Sequence, residues 1–145
     1  MKTAAALGVP PTFNAASYFV DRHLPEGRGG KIAIEHGDER VTYAELHERV
    51  NRFGSALRQK YGVVTGDRIA LLLLDTPEFA YSFFGAVKIG AVPIPTNTLW
   101  KASDYRHLLN DSAARVLVIS EELLPEFSRL SRAELPSLEH VIVAG

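Results

Sequence analysis

Residues Arg68 to Leu74 read Arg-Ile-Ala-Leu-Leu-Leu-Leu, and after the arginine both alternating faces of the run are apolar. A strand of that kind must be covered on both sides, which is the setting of a central strand in a sheet with helices on each face. Its short length and the turn residues around it favour a strand over a buried helix. The surrounding punctuation agrees. Thr76 as N-cap, Pro77 in the first turn and Glu78 near the positive end of the dipole predict a helix carrying Phe79, Phe83, Phe84 and Val87, closed by Gly90. Ala91 to Pro95 follows as a short strand in which Pro93 and Pro95 each lack a ladder donor, so its pairing should be limited or one-sided. A third helix is expected from Ala102 to about Asn110, then a strand from Arg115 to Ile119. Ser120 should cap a fourth helix running to about Leu130, and Glu139 to Val143 supplies a last strand. Alternation of this sort predicts an α/β fold with a mainly parallel sheet and right-handed crossovers.

Upstream, Lys31–Glu35 and Glu39–Thr42 flank His36-Gly37-Asp38, a reversal that predicts a hairpin. Thr42 followed three residues later by Glu45 is a capping box, so a helix should start at Tyr43. Tyr43, Leu46, Val50, Phe53 and Leu57 step by three and four along one face. Glu45/Arg49 and Glu48/Arg52 form i,i+4 pairs elsewhere, and Gly62 offers a stop.

At 145 residues and 46% hydrophobic content the chain can bury one core. Sixteen basic and seventeen acidic residues are interspersed, which leaves no electrostatic footprint for nucleic acid or an anionic membrane. The absence of cysteine excludes disulfides, thiolate metal sites and cysteine nucleophiles, and suits the cytoplasm. Met1 to Gly8 is too short an apolar stretch for a secretory leader and reads as a frayed terminus. The longest apolar run, Ile69 to Leu74, is far too short to span a membrane.

Candidate chemistry is sparse. Gly27-Arg28-Gly29-Gly30-Lys31 has a glycine-rich look, but a phosphate-binding Walker loop would need Gly in place of Pro25 and Ser or Thr in place of Ile32. The stretch also leads into a strand, so no helix dipole would help hold a phosphate. It is expected to be a solvent loop. Asp104 and His107 have an i,i+3 spacing that could place two metal ligands on one face, and His47 lies on another helix. Two ligands do not make a site, and a polar helix surface is the better reading. Phe79, Phe83 and Phe84 are expected to be core. Trp100 follows the polar loop Thr96-Asn97-Thr98 at a strand's carboxyl end, where open α/β sheets gather ligands; it is either a binding residue or loop packing.

Val41-Thr42-Tyr43-Ala44-Glu45-Leu46, Gly66-Asp67-Arg68-Ile69-Ala70 and Lys88-Ile89-Gly90-Ala91-Val92-Pro93-Ile94-Pro95-Thr96-Asn97 resemble three segments of the adenylate-forming superfamily, in the expected order. Asp111-Ser112-Ala113-Ala114-Arg115 resembles that family's entry to the next strand. Phe13-Asn14-Ala15-Ala16-Ser17-Tyr18-Phe19-Val20-Asp21 and Asn97-Thr98-Leu99-Trp100-Lys101 look most like benzoate–CoA ligases. The resemblance implies an N-terminal subdomain: residues 1–30 as an extension and loop, residues 31–145 as part of the large adenylation (AMP-binding) domain, and no C-terminal domain. It further implies, for the full-length enzyme, acyl-adenylate formation from an aryl carboxylate such as benzoate and Mg-ATP, then thioester formation with coenzyme A. The family's phosphate-cradling loop, its aromatic-Gly-x-Thr-Glu segment, its ribose-binding Asp and its catalytic Lys have no counterpart here. No catalytic, cofactor-binding or metal-ligating residue is therefore assigned, and no ATP, Mg2+ or coenzyme A is expected to be held by this segment alone. Where some relatives place an Arg near the coenzyme A nucleotide phosphate, this chain has Leu99 with Lys101 nearby, so Lys101 is the residue the resemblance nominates for such a contact. The alternative is a self-standing α/β nucleotide-binding or interaction module without catalysis.

Overall fold

The structure, a computed structural model, describes Ala6 and Gly8–Gly145. The frayed terminus expected over Met1–Gly8 falls almost wholly outside those residues. From Asn14 onward the chain runs through α1 (Ala15–Phe19), a single 3-10 turn at Asp21–His23, the antiparallel hairpin β1 (Ile32–His36) and β2 (Glu39–Thr42), and α2 (Tyr43–Gln59). Then come β3 (Arg68–Leu72), α3 (Pro77–Lys88), β4 (Val92–Pro95), α4 (Ala102–Asp111), β5 (Val116–Ser120), the short α5 (Leu124–Phe127) and β6 (His140–Ala144). The last four strands form one parallel sheet in the order β4-β3-β5-β6.

The run that predicted a central strand occupies one. β3 lies between β4 and β5, and its residues from Ile69 onward are buried. Ile69, Leu71 and Leu73 with Val116 and Val118 face a core closed by Leu57 of α2, Ala86 of α3 and Ile89 just beyond α3. Ala70 and Leu72 with Leu117 and Ile119 face the other way, onto Tyr105 and Leu109 of α4 with Leu135 and Leu138. Each fully buried leucine contributes about 2 kcal/mol of transfer free energy, so the pleat of β3 alone anchors both layers. β4 stands at an edge, where its two prolines leave no interior ladder position unpaired.

The capping box is present in full: Thr42 Oγ1 accepts from the Glu45 amide at 3.2 Å, and the Glu45 carboxylate accepts from the Thr42 amide at 2.8 Å. α2 buries Leu46, Val50, Gly54 and Leu57 against α3. The contact is close because both helices present glycine at the crossing. A Cβ on Gly85 would stand 2.9 Å from Phe53 Cδ1 and 3.1 Å from the Val50 carbonyl. Phe79 and Phe83 pack partly buried against the main core and Phe84 against the hairpin core, as expected of core residues.

The amino-terminal segment is fastened to the far end of α3. Asn14 caps α1 through its Oδ1, while its Nδ2 donates to the carbonyls of Val87 and Lys88 at 3.1 and 3.3 Å. Asp21 Oδ1 accepts from Lys88 Nζ at 2.7 Å and lies 3.6 Å from His47 Nε2.

One expected element differs. The fourth helix does not run from Ser120 to Leu130: residues Glu121–Leu123 form a 3-10 turn, α5 lasts four residues, and a further 3-10 turn spans Arg132–Glu134. Pro125 has no amide to continue a helix begun at Glu121, so the hydrogen-bond pattern must restart at it. Ser120 caps nothing; its hydroxyl is used elsewhere.

Candidate functional site

The strand order fixes where a ligand edge lies. From β3 the chain passes through α3 to β4 on one side, and from β5 it passes to β6 on the other. β3 and β5 are therefore the neighbours at which connections diverge, and open α/β sheets hold ligands in the crevice outside such strands' carboxyl ends. The amino ends are cross-linked by an ion-pair cluster. Arg115 there donates to both oxygens of Glu139, at 2.9 and 2.6 Å, and pairs with Asp67, tying the entries of β3, β5 and β6 together. These hydrogen bonds to Glu139, ahead of those to Asp67, hold the guanidinium protonated well beyond its already high range.

At the carboxyl ends the wall is built from three connections. Ser120, buried at the end of β5, accepts from the Leu74 amide at 3.0 Å and so closes the crevice floor between β3 and β5. The Thr96 amide, just past β4, donates to the Leu71 carbonyl at 2.9 Å. From there the loop Thr96–Lys101 turns on Asn97, whose side-chain oxygen accepts from the Leu99 amide at 2.9 Å and whose carbonyl accepts from Trp100. Three side chains outside the loop body hold it. Tyr105 donates its hydroxyl to the Thr98 carbonyl at 3.2 Å, Asp104 accepts from the Lys101 amide at 3.1 Å, and Glu126 Oε1 accepts from the Ala102 amide at 2.9 Å.

The electrostatics follow from those bonds. The Ala102 amide, then Arg129, holds the Glu126 carboxyl below its usual range, while burial pushes the Tyr105 phenol up and keeps it a neutral donor. Leu99 is 84% exposed and Trp100 38% exposed, and the Lys101 side chain is exposed beside them. An apolar side chain in water at a loop tip is costly to solvate. Here it is carried on backbone that these hydrogen bonds define.

Of the residues singled out in the sequence, Trp100 and Lys101 stand at this edge. Asp104 does too, although its carboxylate is spent on the Lys101 amide and His107 is exposed without joining it. His47 is turned toward Asp21 and Asn51 at the other end of the molecule. Gly27–Lys31 behaves as a connecting loop, and its carbonyls face inward: Gly29 accepts from the Ala44 amide at 2.9 Å and Lys31 from Tyr43 at 3.0 Å, at the start of α2. Two of its amides are spent as well, Arg28 donating to the His23 carbonyl at 2.8 Å and Lys31 to the Arg28 carbonyl at 3.0 Å. Ser120, Tyr105 and Glu126 were not anticipated as site residues. Tyr105 carried a signal, because a tyrosine at the buried i position of an i,i+4 pair with Leu109 needs a partner for its hydroxyl.

Among the described residues no three His, Asp or Glu side chains gather to hold a metal ion. Beneath the loop lies only a void of about 10 Å³ lined by Thr96, Tyr105, Leu108 and apolar neighbours, too small for a ligand. A cleft of about 640 Å³ is lined by the amino-terminal segment from Gly8 to Arg22, which is anchored at the opposite end of α3. No helix among the described residues is long and apolar enough to cross a membrane.

The sequence profile of the AMP-binding enzymes matches residues 21–144, almost all of the chain. The chain belongs to the AMP-binding enzyme family. It is 47% identical over 143 residues to a benzoate–CoA ligase of Thauera aromatica, a match covering 99% of this chain and 27% of that protein. It is 44% identical over 133 residues to a 4-hydroxybenzoate–CoA/benzoate–CoA ligase of Rhodopseudomonas palustris, covering 92% of this chain and 24% of that one. Among solved structures, the anthranilate CoA ligase AuaEII in complex with anthranoyl-AMP superposes with a TM-score of 0.90 at 39% identity, over 100% of this chain and 27% of that one. The chain thus spans about a quarter of the length of the relatives it matches, and its fold is that of the N-terminal region of adenylate-forming CoA ligases.

Proposed function

We propose that this chain is the N-terminal framework of an ATP-dependent carboxylate–CoA ligase, acting on benzoate or a closely related aryl acid in the cytoplasm. In that enzyme the acid and Mg-ATP form an acyl-adenylate and pyrophosphate, and the coenzyme A thiol then displaces AMP to give a thioester. The observation that carries the reading is the 47% identity over 99% of the chain to a benzoate–CoA ligase. The role of this segment within the enzyme is structural: it contributes two covered sheet faces, a closed crevice floor at Ser120 and a shaped loop at the carboxyl edge. The side chains that bind ATP and stabilise charge on phosphorus belong, in this reading, to other parts of the ligase, since the family's phosphate-cradling loop and its catalytic Lys have no counterpart in these 145 residues. Lys101, exposed at the carboxyl edge, is a cation that a coenzyme A phosphate could meet there.

The test is to assay the longer protein carrying this chain for thioester formation from coenzyme A and ATP, with benzoate and acetate compared. Benzoate turnover at a kcat/KM at least about a hundredfold above acetate is expected, since an apolar ring in a matched pocket supplies several kcal/mol that a methyl group cannot. Equal or greater use of acetate refutes the aryl assignment, and absence of any thioester refutes the ligase.

A further inference from the structure

We infer that Tyr105 and Glu126 are positioning residues that lock the Thr96–Lys101 loop into one shape before any ligand arrives, so that Leu99 and Trp100 are presented at the carboxyl edge. Tyr105 is 2% exposed and its ring belongs to the core under α4, yet its hydroxyl reaches out of that core to the Thr98 carbonyl at 3.2 Å. Glu126 comes from α5, a separate element across the α4 layer, and accepts from the Ala102 amide at 2.9 Å. That amide is one of the orphan donors at the start of α4, and its bond ties the loop's exit to a second element. Arg129, 3.1 and 3.3 Å from the two Glu126 oxygens, holds the carboxylate in place for this bond. The loop is thus fixed from two independent elements as well as by its own Asn97 and by Asp104. A loop tip that exposes leucine and tryptophan gains nothing from order in the free protein. Order there removes the entropic cost that a ligand or an adjoining part of the molecule would otherwise meet on docking.

The inference rests on the ligase reading only for the reason the loop matters; the locking itself is measurable alone. Trp100 is the sole tryptophan of the chain, so its emission reports on this loop and nothing else. Acrylamide quenching and fluorescence anisotropy of Trp100 are to be measured in the 145-residue chain and in Y105F, E126A and E126Q, with far-UV circular dichroism as the control for folding. Y105F keeps the ring and removes one donor, and E126Q keeps an acceptor for the Ala102 amide. A quenching constant raised about twofold in Y105F and E126A, with lower anisotropy, is expected, with E126Q close to wild type, as a loop freed to open locally would give. Unchanged quenching in Y105F overturns the inference, as does a wild-type Trp100 that quenches like free tryptophan, whatever the state of the rest of the chain. Should E126A fail to fold, Y105F and E126Q decide. A longer protein without ligase activity, with Trp100 protected in the 145-residue chain, would sink the proposed function and leave the locking intact; an active one, with Trp100 unprotected in that chain, would do the reverse.

Discussion

Thr42 and Glu45 satisfy each other's backbone donors at the start of α2, and this reciprocal pair is where the sequence and the structure agree most closely. Replacing Thr42 by Ala removes the acceptor of the Glu45 amide and is expected to cost about 1 kcal/mol, read as a lowered urea midpoint at unchanged m-value. The same carboxylate ties stability to pH. Glu45 is held below its ordinary 4.5 first by the Thr42 amide, Glu134 by the Ser131 amide, and Glu139 by Arg115. A carboxyl whose folded value is depressed stabilises fully above its unfolded value and loses that contribution as pH falls through the folded one. These carboxyls should therefore lower the melting temperature as pH falls below about 5, adding to the loss that begins from about pH 6.5 at His23, whose imidazole burial holds below its ordinary value. A melting temperature that rises on acidification would contradict the assignment. Thr42 and Glu45 were legible because a capping box is a local pattern. Ser120 was misread for the complementary reason: a serine before two glutamates signals a cap, whereas its bond to the Leu74 amide joins positions 46 residues apart.

The contact between α2 and α3 is set at the scale of the elements by two glycines that a residue-by-residue reading of helix propensity would count only as liabilities. Gly54 faces the Gly85 carbonyl, and Gly85 faces Phe53, Val50 and the Gly54 amide, so neither position has room for a methyl group. Gly85→Ala gains helix propensity and is nevertheless expected to destabilise by about 1–3 kcal/mol, because the backbones must separate and the shared core loosens with them. Urea unfolding of the variant checks the sign; a more stable protein would mean that the helices are not held this close. The stripe on α2 and the caps of α3 were readable from 3.6-residue periodicity, which reports which face is buried but not how near the partner comes. α5 marks the other limit. Pro125 was visible in the sequence, yet the favourable start at Ser120-Glu121-Glu122 suggested a longer helix than a chain restarted at a proline can build.

At the scale of the whole molecule the sheet has two unlike edges. β4 is blunted by Pro93 and Pro95, while β6 carries Val141 and Val143 exposed and no proline. Parallel order and two-sided cover were foreseeable from alternating elements, but strand order depends on tertiary choices that no local pattern records. It was this order that located the crevice between β3 and β5. We propose that this segment is a scaffold equivalent to the matching part of a benzoate–CoA ligase, with the chemistry supplied by the remainder. The direct test replaces that part of the Thauera aromatica enzyme by this chain and measures benzoate-dependent exchange of pyrophosphate into ATP. Because a scaffold swap leaves the reacting groups in place, exchange within about tenfold of the parent is expected, a barrier change of no more than about 1.4 kcal/mol. A chimera that folds with the parent's circular dichroism and melting temperature yet shows no exchange would contradict the claim.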